Sequence, residues 1–269
     1  MRKAISGYSI PLGVVGLAAL VLLGACSPTA IQTTTRVPVT TPTVVAAMGS
    51  KEWHYVVLGD SQMWDVGVYY AKYVEADLGV KVVLDDYWKG FTTATQLLDD
   101  LRTFDVMRNA VKRANVVTLH TNPAGTLGWR MATFQESDKY DCSDQALAGY
   151  KADLDAIIAE IFALRKGQPT IIRVMGNYAN FYAFGEWKRL GMYDEYKRCS
   201  EAAVAIYYQA FAKHNISVAD VFSAFNGPNH DQDPRDKGYM LEDNQHPSDA
   251  GRQVIADQFR NLGYEYIVP

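Results

Sequence analysis

Two short segments near the two ends of the chain carry residue types that together perform acyl transfer in proteins. Ser61 follows a short apolar run, and Asp243 precedes His246 by three residues on a polar stretch. A serine hydroxyl becomes an effective nucleophile when an imidazole takes its proton and a carboxylate holds that imidazole in the right tautomer. The spacing therefore predicts a Ser61–His246–Asp243 triad. The competing interpretation is an ordinary turn at Ser61 and a surface-loop histidine at His246.

Short β-branched runs, separated by longer helical patterns, indicate the fold that brings these ends together. Such runs are typical of strands in a parallel sheet that is covered by helices on both faces. We therefore predict an α/β/α sandwich whose functional site lies beyond the carboxyl ends of the strands. The predicted strands are His54–Leu58, Lys81–Leu84, Val116–Leu119, Thr170–Val174 and Ile216–Val218.

Between these runs, apolar residues recur at the three- and four-residue steps of amphipathic helices. The clearest predicted helix contains Leu147–Ile161, and Ser143 is placed to cap its start. A second contains Tyr196–Phe211, and a third contains Val254–Phe259, directly after the predicted base. The last helix thus places His246 on the loop that leads into it.

The segment Gly59-Asp60-Ser61 and the Asp243-x-x-His246 pair resemble the first and last sequence blocks of the SGNH, or GDSL, hydrolase family. The resemblance runs from about Trp53 to the end of the chain. It implies a flavodoxin-like, five-stranded parallel sheet in a three-layer sandwich. It also implies that Ser61 is the nucleophile, His246 the base and Asp243 its partner, and that Asp60 shapes the turn.

Two loops between those blocks resemble the parts of the family that bind the oxyanion. Gly90 matches the glycine that gives a backbone N–H, and Asn122 matches the asparagine of a Gly-x-Asn-Asp block. With the N–H of Ser61, the resemblance implies three oxyanion donors and a reaction that needs no metal or organic cofactor. This chain departs from the pattern on both sides of Asn122, because His120 replaces the glycine and Pro123 replaces the aspartate.

The N-terminal residues have the features of an export signal. Positive charge at Arg2 and Lys3 is followed by an apolar run from about Ile10, which ends in small residues directly before Cys26. This end resembles a bacterial lipobox, in which the cysteine is lipidated. We predict a signal peptide over 1–25, a lipidated Cys26 with a Thr/Pro-rich tether over 26–50, and one hydrolase domain over 51–269. A plain signal peptide or a single membrane anchor is the alternative.

The two remaining cysteines, Cys142 and Cys199, fit an exported protein. An oxidising compartment favours their pairing as a disulfide, and two buried free thiols are the alternative. Neither has a histidine or second cysteine at metal-ligand spacing, so no metal site is predicted. The formal net charge of −4 does not indicate a nucleic-acid partner. The predicted partners are an ester substrate and, through the lipid, a membrane.

The sequence as a whole predicts an extracytoplasmic serine esterase. Aromatic residues such as Trp88, Trp129 and Trp187 lie on loops expected at the active edge. They favour acetylated carbohydrate as the substrate, although such residues also pack long loops, and lipid or short-chain esters are the nearest rival. Transfer of an acyl group to a sugar, or a surface-binding lipoprotein without activity, are the alternatives.

Overall fold

The five predicted strands form one parallel sheet in a computed structural model, which describes residues 52–123, 127, 141–180 and 186–268. The strand order is β2-β1-β3-β4-β5, which is the flavodoxin-like order, so both the fold class and the topology are confirmed. All four neighbouring pairs are parallel. The strands are β1 (Glu52–Gly59), β2 (Lys81–Trp88), β3 (Val116–Leu119), β4 (Ile171–Met175) and β5 (Ser217–Ala219).

Helices cover the sheet on both faces. Those that the structure describes are α1 (Val66–Leu78), α2 (Ala94–Thr103), α3 (Asp105–Arg113), α4 (Asp144–Arg165), α5 (Glu186–Arg189), α6 (Tyr193–Ala212), α7 (Val221–Asn226) and α8 (Asp249–Asn261). The predicted helices around Leu147, Tyr196 and Val254 are therefore present as α4, α6 and α8. Ser143 caps α4 as predicted, because its hydroxyl accepts the N–H of Ala146.

The alternating side chains of β1 divide the core into two layers. Val56 and Leu58 are fully buried under α2, α3, α4 and α6, whereas Tyr55 and Val57 are fully buried under α1, α7 and α8. Successive residues of a strand point to opposite faces, so a central strand that is covered twice is apolar throughout. This double coverage fixes the register of β1 and with it the position of the loop that follows.

Helices α4 and α6 pack against each other on one face of the sheet and are also joined covalently. Cys142, directly before α4, forms a disulfide with Cys199 in α6. The predicted pairing is thus present, and the alternative of two free thiols is wrong for this structure. The bond closes a loop across a sequence separation of 57 residues. Closing a loop of that length lowers the conformational entropy of the unfolded chain and so stabilises the folded state.

The export signal, Cys26 and the tether lie in residues 1–51, outside the described residues. Trp129 and residues 181–185 of the aromatic loops also lie outside them. Within the described ranges, no helix has both the length and the hydrophobicity needed to cross a bilayer.

Candidate active site

The predicted nucleophile sits on a single tight turn directly after β1. Ser61 begins a short 3₁₀ turn, Ser61–Met63, and is partly exposed. The side chain of Asp60 caps this turn, because its Oδ1 accepts the N–H of Gln62 at 2.9 Å. Asp60 therefore shapes the turn as predicted. The cap holds Ser61 at the carboxyl edge of the sheet, directly after β1.

Gly59, the last residue of β1, is required by the close approach of β3. Its φ is +142°, and a Cβ at this position would lie 2.5 Å from the carbonyl oxygen of His120. Both the conformation and the contact exclude a side chain. The neighbouring backbone of His120 is therefore the reason for glycine at this position.

The predicted acid–base pair is formed on the loop before α8. His246 Nδ1 lies 2.6 Å from Asp243 Oδ2, and Asp243 Oδ1 accepts the backbone N–H groups of Gln245 and His246 at 2.9 and 3.0 Å. Partial burial raises the pKa of Asp243, but these hydrogen bonds outweigh that effect and leave the pKa below its usual value. The carboxylate therefore stays ionised and keeps the proton of His246 on Nδ1.

Two residues that the sequence did not single out hold the imidazole of His246. The ring of Trp64 meets it edge-to-face, with centroids 5.6 Å apart. Arg252 in α8 donates from Nε to the Trp64 carbonyl at 3.1 Å and lies over the Trp64 ring. Asp249 Oδ1 accepts from Arg252 Nη1 at 2.8 Å. This chain of contacts joins the turn of Ser61 to the loop of His246.

The loop after β2 brings Gly90 beside the same edge. Lys89 donates its N–H to the carbonyl of Gly59 at 3.0 Å, and the Thr92 hydroxyl donates to the carbonyl of Lys89. Thr93 and Gln96 then form a capping box that starts α2. Within the described parts of the chain, the N–H groups of Ser61 and Gly90 have no protein acceptor. Two backbone donors are therefore available to a ligand.

The third predicted donor, Asn122, is tied to the nucleophile turn through Asp60. A hydrogen bond from the Asn122 side chain lowers the pKa of the Asp60 carboxyl, although burial is the larger effect and raises that pKa overall. The positive charge that His246 can carry also lowers the pKa of Asp60. The carboxyl of Asp60 therefore interacts with both Asn122 and His246. The structure thus brings Ser61, Asn122 and His246 to one edge around the carboxylate of Asp60.

His120, which replaces the family's glycine, is completely buried beneath this site. Its Nδ1 lies 3.0 Å from the carbonyl oxygen of Met175, and its Nε2 lies 3.7 Å from Asp60 Oδ1. Burial lowers the pKa of His120, more than the charge of Asp60 raises it. Since a carbonyl only accepts, Nδ1 carries the proton, and the neutral ring presents a lone pair to Asp60. The Met175 carbonyl thus satisfies Nδ1, whereas Nε2 has no hydrogen-bond partner among the described residues.

The hydrogen bond between nucleophile and base is not formed in this structure. The hydroxyl of Ser61 and the Nε2 of His246 make no hydrogen bond with each other or with another residue in the described ranges. Such contacts are often long in enzymes before substrate binds, and they shorten in the substrate complex. The described geometry therefore supplies an oriented imidazole at His246 and two available backbone donors beside Ser61.

Solved structures of other proteins share this fold. The chain superposes on the lipase Lip_vut3 from a goat rumen metagenome with a TM-score of 0.63 and 20% identity, covering 79% of this chain and 98% of that one. It matches a variant of Axe2, an acetyl xylan esterase from Geobacillus stearothermophilus, with a TM-score of 0.54 and 18% identity, over 81% and 97% of the two chains.

A lipase/acylhydrolase from Enterococcus faecalis also superposes, with a TM-score of 0.53 and 16% identity, over 78% of this chain and 95% of that one. No family model and no curated relative matches the sequence. At these identities the comparisons show the fold, which is the three-layer fold of the SGNH hydrolases, as the resemblance implied.

The role of Gly59 gives a prediction about stability. Gly59→Ala should lower the free energy of unfolding by about 1–3 kcal/mol, because it strains the backbone and pushes against the His120 carbonyl. Urea denaturation measures the change. Gly90→Ala is the matched control, since a Cβ there meets nothing within 4 Å. Equal stability of the two variants would contradict the close approach of β3 to Gly59.

Proposed function

We propose that this protein is a serine esterase that hydrolyses carboxylic esters through an acyl-enzyme intermediate. The observation that carries the proposal is the His246–Asp243 contact at the sheet edge where Ser61 presents its hydroxyl and an unengaged N–H. The fold shared with lipases and esterases agrees with it. Because fold alone does not define activity, we rest the proposal on these side chains.

The reaction that these groups support begins with attack of Ser61 Oγ on the ester carbonyl carbon. His246 Nε2 takes the hydroxyl proton as the carbon–oxygen bond forms, and Asp243 stabilises the imidazolium. The tetrahedral intermediate then collapses, and the leaving alkoxide receives that proton. A water molecule repeats the attack on the acyl-enzyme, with His246 again taking the proton, and releases the carboxylic acid and free Ser61.

The negative charge of the tetrahedral oxygen is met by three proposed donors. They are the backbone N–H groups of Ser61 and Gly90 and the side-chain amide of Asn122. An amide nitrogen has two hydrogens, so Asn122 can keep its bond to Asp60 and direct the second hydrogen to the oxyanion. Preorganised donors of this kind are each worth roughly a hundredfold or more in rate.

The triad assignment predicts the kinetics of three variants. Ser61→Ala should reduce hydrolysis of p-nitrophenyl acetate by about 10⁴-fold or more, and Asp243→Asn by roughly 10²- to 10⁴-fold through loss of the correct imidazole tautomer. Asp257→Asn, a carboxylate change on α8 away from the site, is the control and should retain activity. Full activity of a folded Ser61→Ala variant would refute the proposal.

We further propose an acetylated carbohydrate as the substrate class. The ring of Trp64, which contacts His246, has its centroid 5.9 Å from that of Trp88, and both side chains are partly exposed. Phe91, next to Gly90, is 82% exposed and holds a backbone φ of 59°, which is unusual for an aromatic residue. Exposed aromatic faces beside an ester-cleaving group favour a sugar ring as the alcohol part. One of the similar structures is an acetyl xylan esterase.

An acetylated carbohydrate as substrate predicts which esters the protein cleaves most efficiently. Acetylated xylo-oligosaccharides should be cleaved with a higher kcat/KM than p-nitrophenyl octanoate, and Phe91→Ala should raise KM for the sugar ester more than for p-nitrophenyl acetate. Acetate release, followed with and without a free sugar acceptor, measures this. A preference for octanoate favours a lipid-type substrate, and transfer of acetyl to the acceptor favours an acyltransferase.

We propose that the protein works outside the cytoplasm, anchored by lipid on Cys26. The sequence pattern before Cys26 supports this, and so does the disulfide, which persists in oxidising compartments. In a bacterial host the parent chain should fractionate with membranes and incorporate labelled palmitate, whereas Cys26→Ala should not incorporate the label. Equal labelling of the two would contradict lipidation at this cysteine, and Cys142→Ser serves as the control for loss of a cysteine elsewhere.

A further inference from the structure

Two buried tyrosines form hydrogen bonds with the backbone of Thr121, the residue immediately before Asn122. The hydroxyl of Tyr207 accepts the N–H of Thr121 at 2.6 Å and also reaches the Thr121 carbonyl and hydroxyl. The hydroxyl of Tyr150 donates to the same carbonyl at 2.8 Å and lies 3.1 Å from the Thr121 hydroxyl. The carbonyl and hydroxyl of Thr121 thus contact both tyrosines, and its N–H contacts Tyr207.

These two tyrosines come from the helix pair that the disulfide joins. Tyr150 lies on α4, which starts directly after Cys142, and Tyr207 lies on α6 together with Cys199. Both side chains and Thr121 are almost completely buried, and the tyrosine rings contact each other with centroids 5.9 Å apart. Burial raises the pKa of both hydroxyls, so they remain protonated hydrogen-bond donors.

The other neighbours of Asn122 leave it little freedom. His120 is held by Met175 on β4, and its ring stacks on that of Tyr207 with centroids 6.5 Å apart. Pro123 follows Asn122 and restricts its backbone to extended conformations. Asp60 bonds the Asn122 side chain. The backbone of Asn122 is therefore fixed from the amino side chiefly through Thr121, and the tyrosines supply most of those hydrogen bonds.

We infer that Tyr150 and Tyr207 are positioning residues that set the Asn122 amide for the oxyanion, in place of the glycine and aspartate that flank it in the family pattern. The inference rests on the proposed esterase function. Neither tyrosine touches the reacting atoms, so their effect passes through Thr121 to Asn122. A donor displaced by about 1 Å contributes little to transition-state stabilisation while substrate still binds.

The test is a double-mutant cycle in the full chain. Tyr150→Phe/Tyr207→Phe removes both hydroxyls but keeps the rings, and should lower kcat for p-nitrophenyl acetate by about ten- to a hundredfold with KM changed less than about threefold. In an Asn122→Ala background the same pair should lower kcat by less than about threefold, since the donor they position is already gone. Tyr70→Phe is the matched control. Tyr70 is equally buried, and its hydroxyl has no partner among the described residues.

A full additional loss of kcat in the Asn122→Ala background, or no loss in the parent background, would overturn the inference. Thermal unfolding of each variant shows whether it is folded. If the double variant does not fold, each single Tyr→Phe variant retains the hydrogen bonds of the other tyrosine to Thr121. The same comparison of kcat with and without Asn122→Ala is then made with the single variants. Failure of the proposed function is distinct, because then the parent itself shows no activity that Ser61→Ala removes.

Discussion

The site depends on the contact between the end of β1 and the start of the loop after β3. At Gly59 the missing side chain lets the His120 carbonyl come within 2.5 Å of where a Cβ would be. Leu58 accepts the N–H of His120, and Gly59 accepts the N–H of Lys89, both at 3.0 Å. Three neighbouring strand ends are thereby joined at one point. The turn of Ser61 and the loops of Gly90 and Asn122 leave the sheet from that junction, so their relative positions follow from it.

The junction has an electrostatic cost, because it buries Asp60 beside His120. Burial raises the pKa of Asp60 and lowers that of His120, so both groups are pushed towards their neutral forms. Hydrogen bonds from Gln62, from Asn122 and to Met175 offset part of this cost. A buried polar cluster whose hydrogen bonds are formed holds its side chains in fixed orientations. In this chain that cluster includes Asp60, the residue directly before Ser61.

The protein also links the site to two separate layers of helices. On one face, Arg252 of α8 fixes Trp64 and through it the ring of His246. On the other face, α4 and α6 reach the loop of Asn122 through their tyrosines. His246 and Asn122 are therefore supported from opposite sides of the sheet. The disulfide strengthens the second support, because it joins the two helices that carry those tyrosines.

Sequence patterns predicted the five strands well because β-branched runs in a doubly covered sheet are apolar throughout. The predicted end of β2 at Leu84 was too early, since the strand continues to Trp88. Strand β2 is at the edge of the sheet and is partly exposed, so polar residues such as Asp85 and Asp86 belong to it. The order of the strands came from the family resemblance and not from the runs themselves.

The contact between Asp243 and His246 was predictable because the two residues are three positions apart. The contacts that hold His246 and the loop of Asn122 were not predictable from the sequence. Trp64 and Arg252 are 188 residues apart in the chain, and Thr121 and Tyr207 are 86 residues apart. Tyr150 fitted a helical apolar pattern, which indicates only burial and says nothing of where its hydroxyl points. The departure at His120 was visible in the sequence, but the hydrogen bond that holds its ring depends on Met175, which only the fold brings near.

The measurement that tests the proposed triad and oxyanion donors most directly is a crystal structure of the protein after reaction with diethyl p-nitrophenyl phosphate. We expect phosphorus bonded to Ser61 Oγ, with a phosphoryl oxygen about 2.7–3.1 Å from the N–H nitrogens of Ser61 and Gly90 and from the Asn122 amide nitrogen. His246 Nε2 should then face the modified oxygen. Phosphorylation of a different residue, or a phosphoryl oxygen directed away from all three donors, would contradict the roles proposed for these residues.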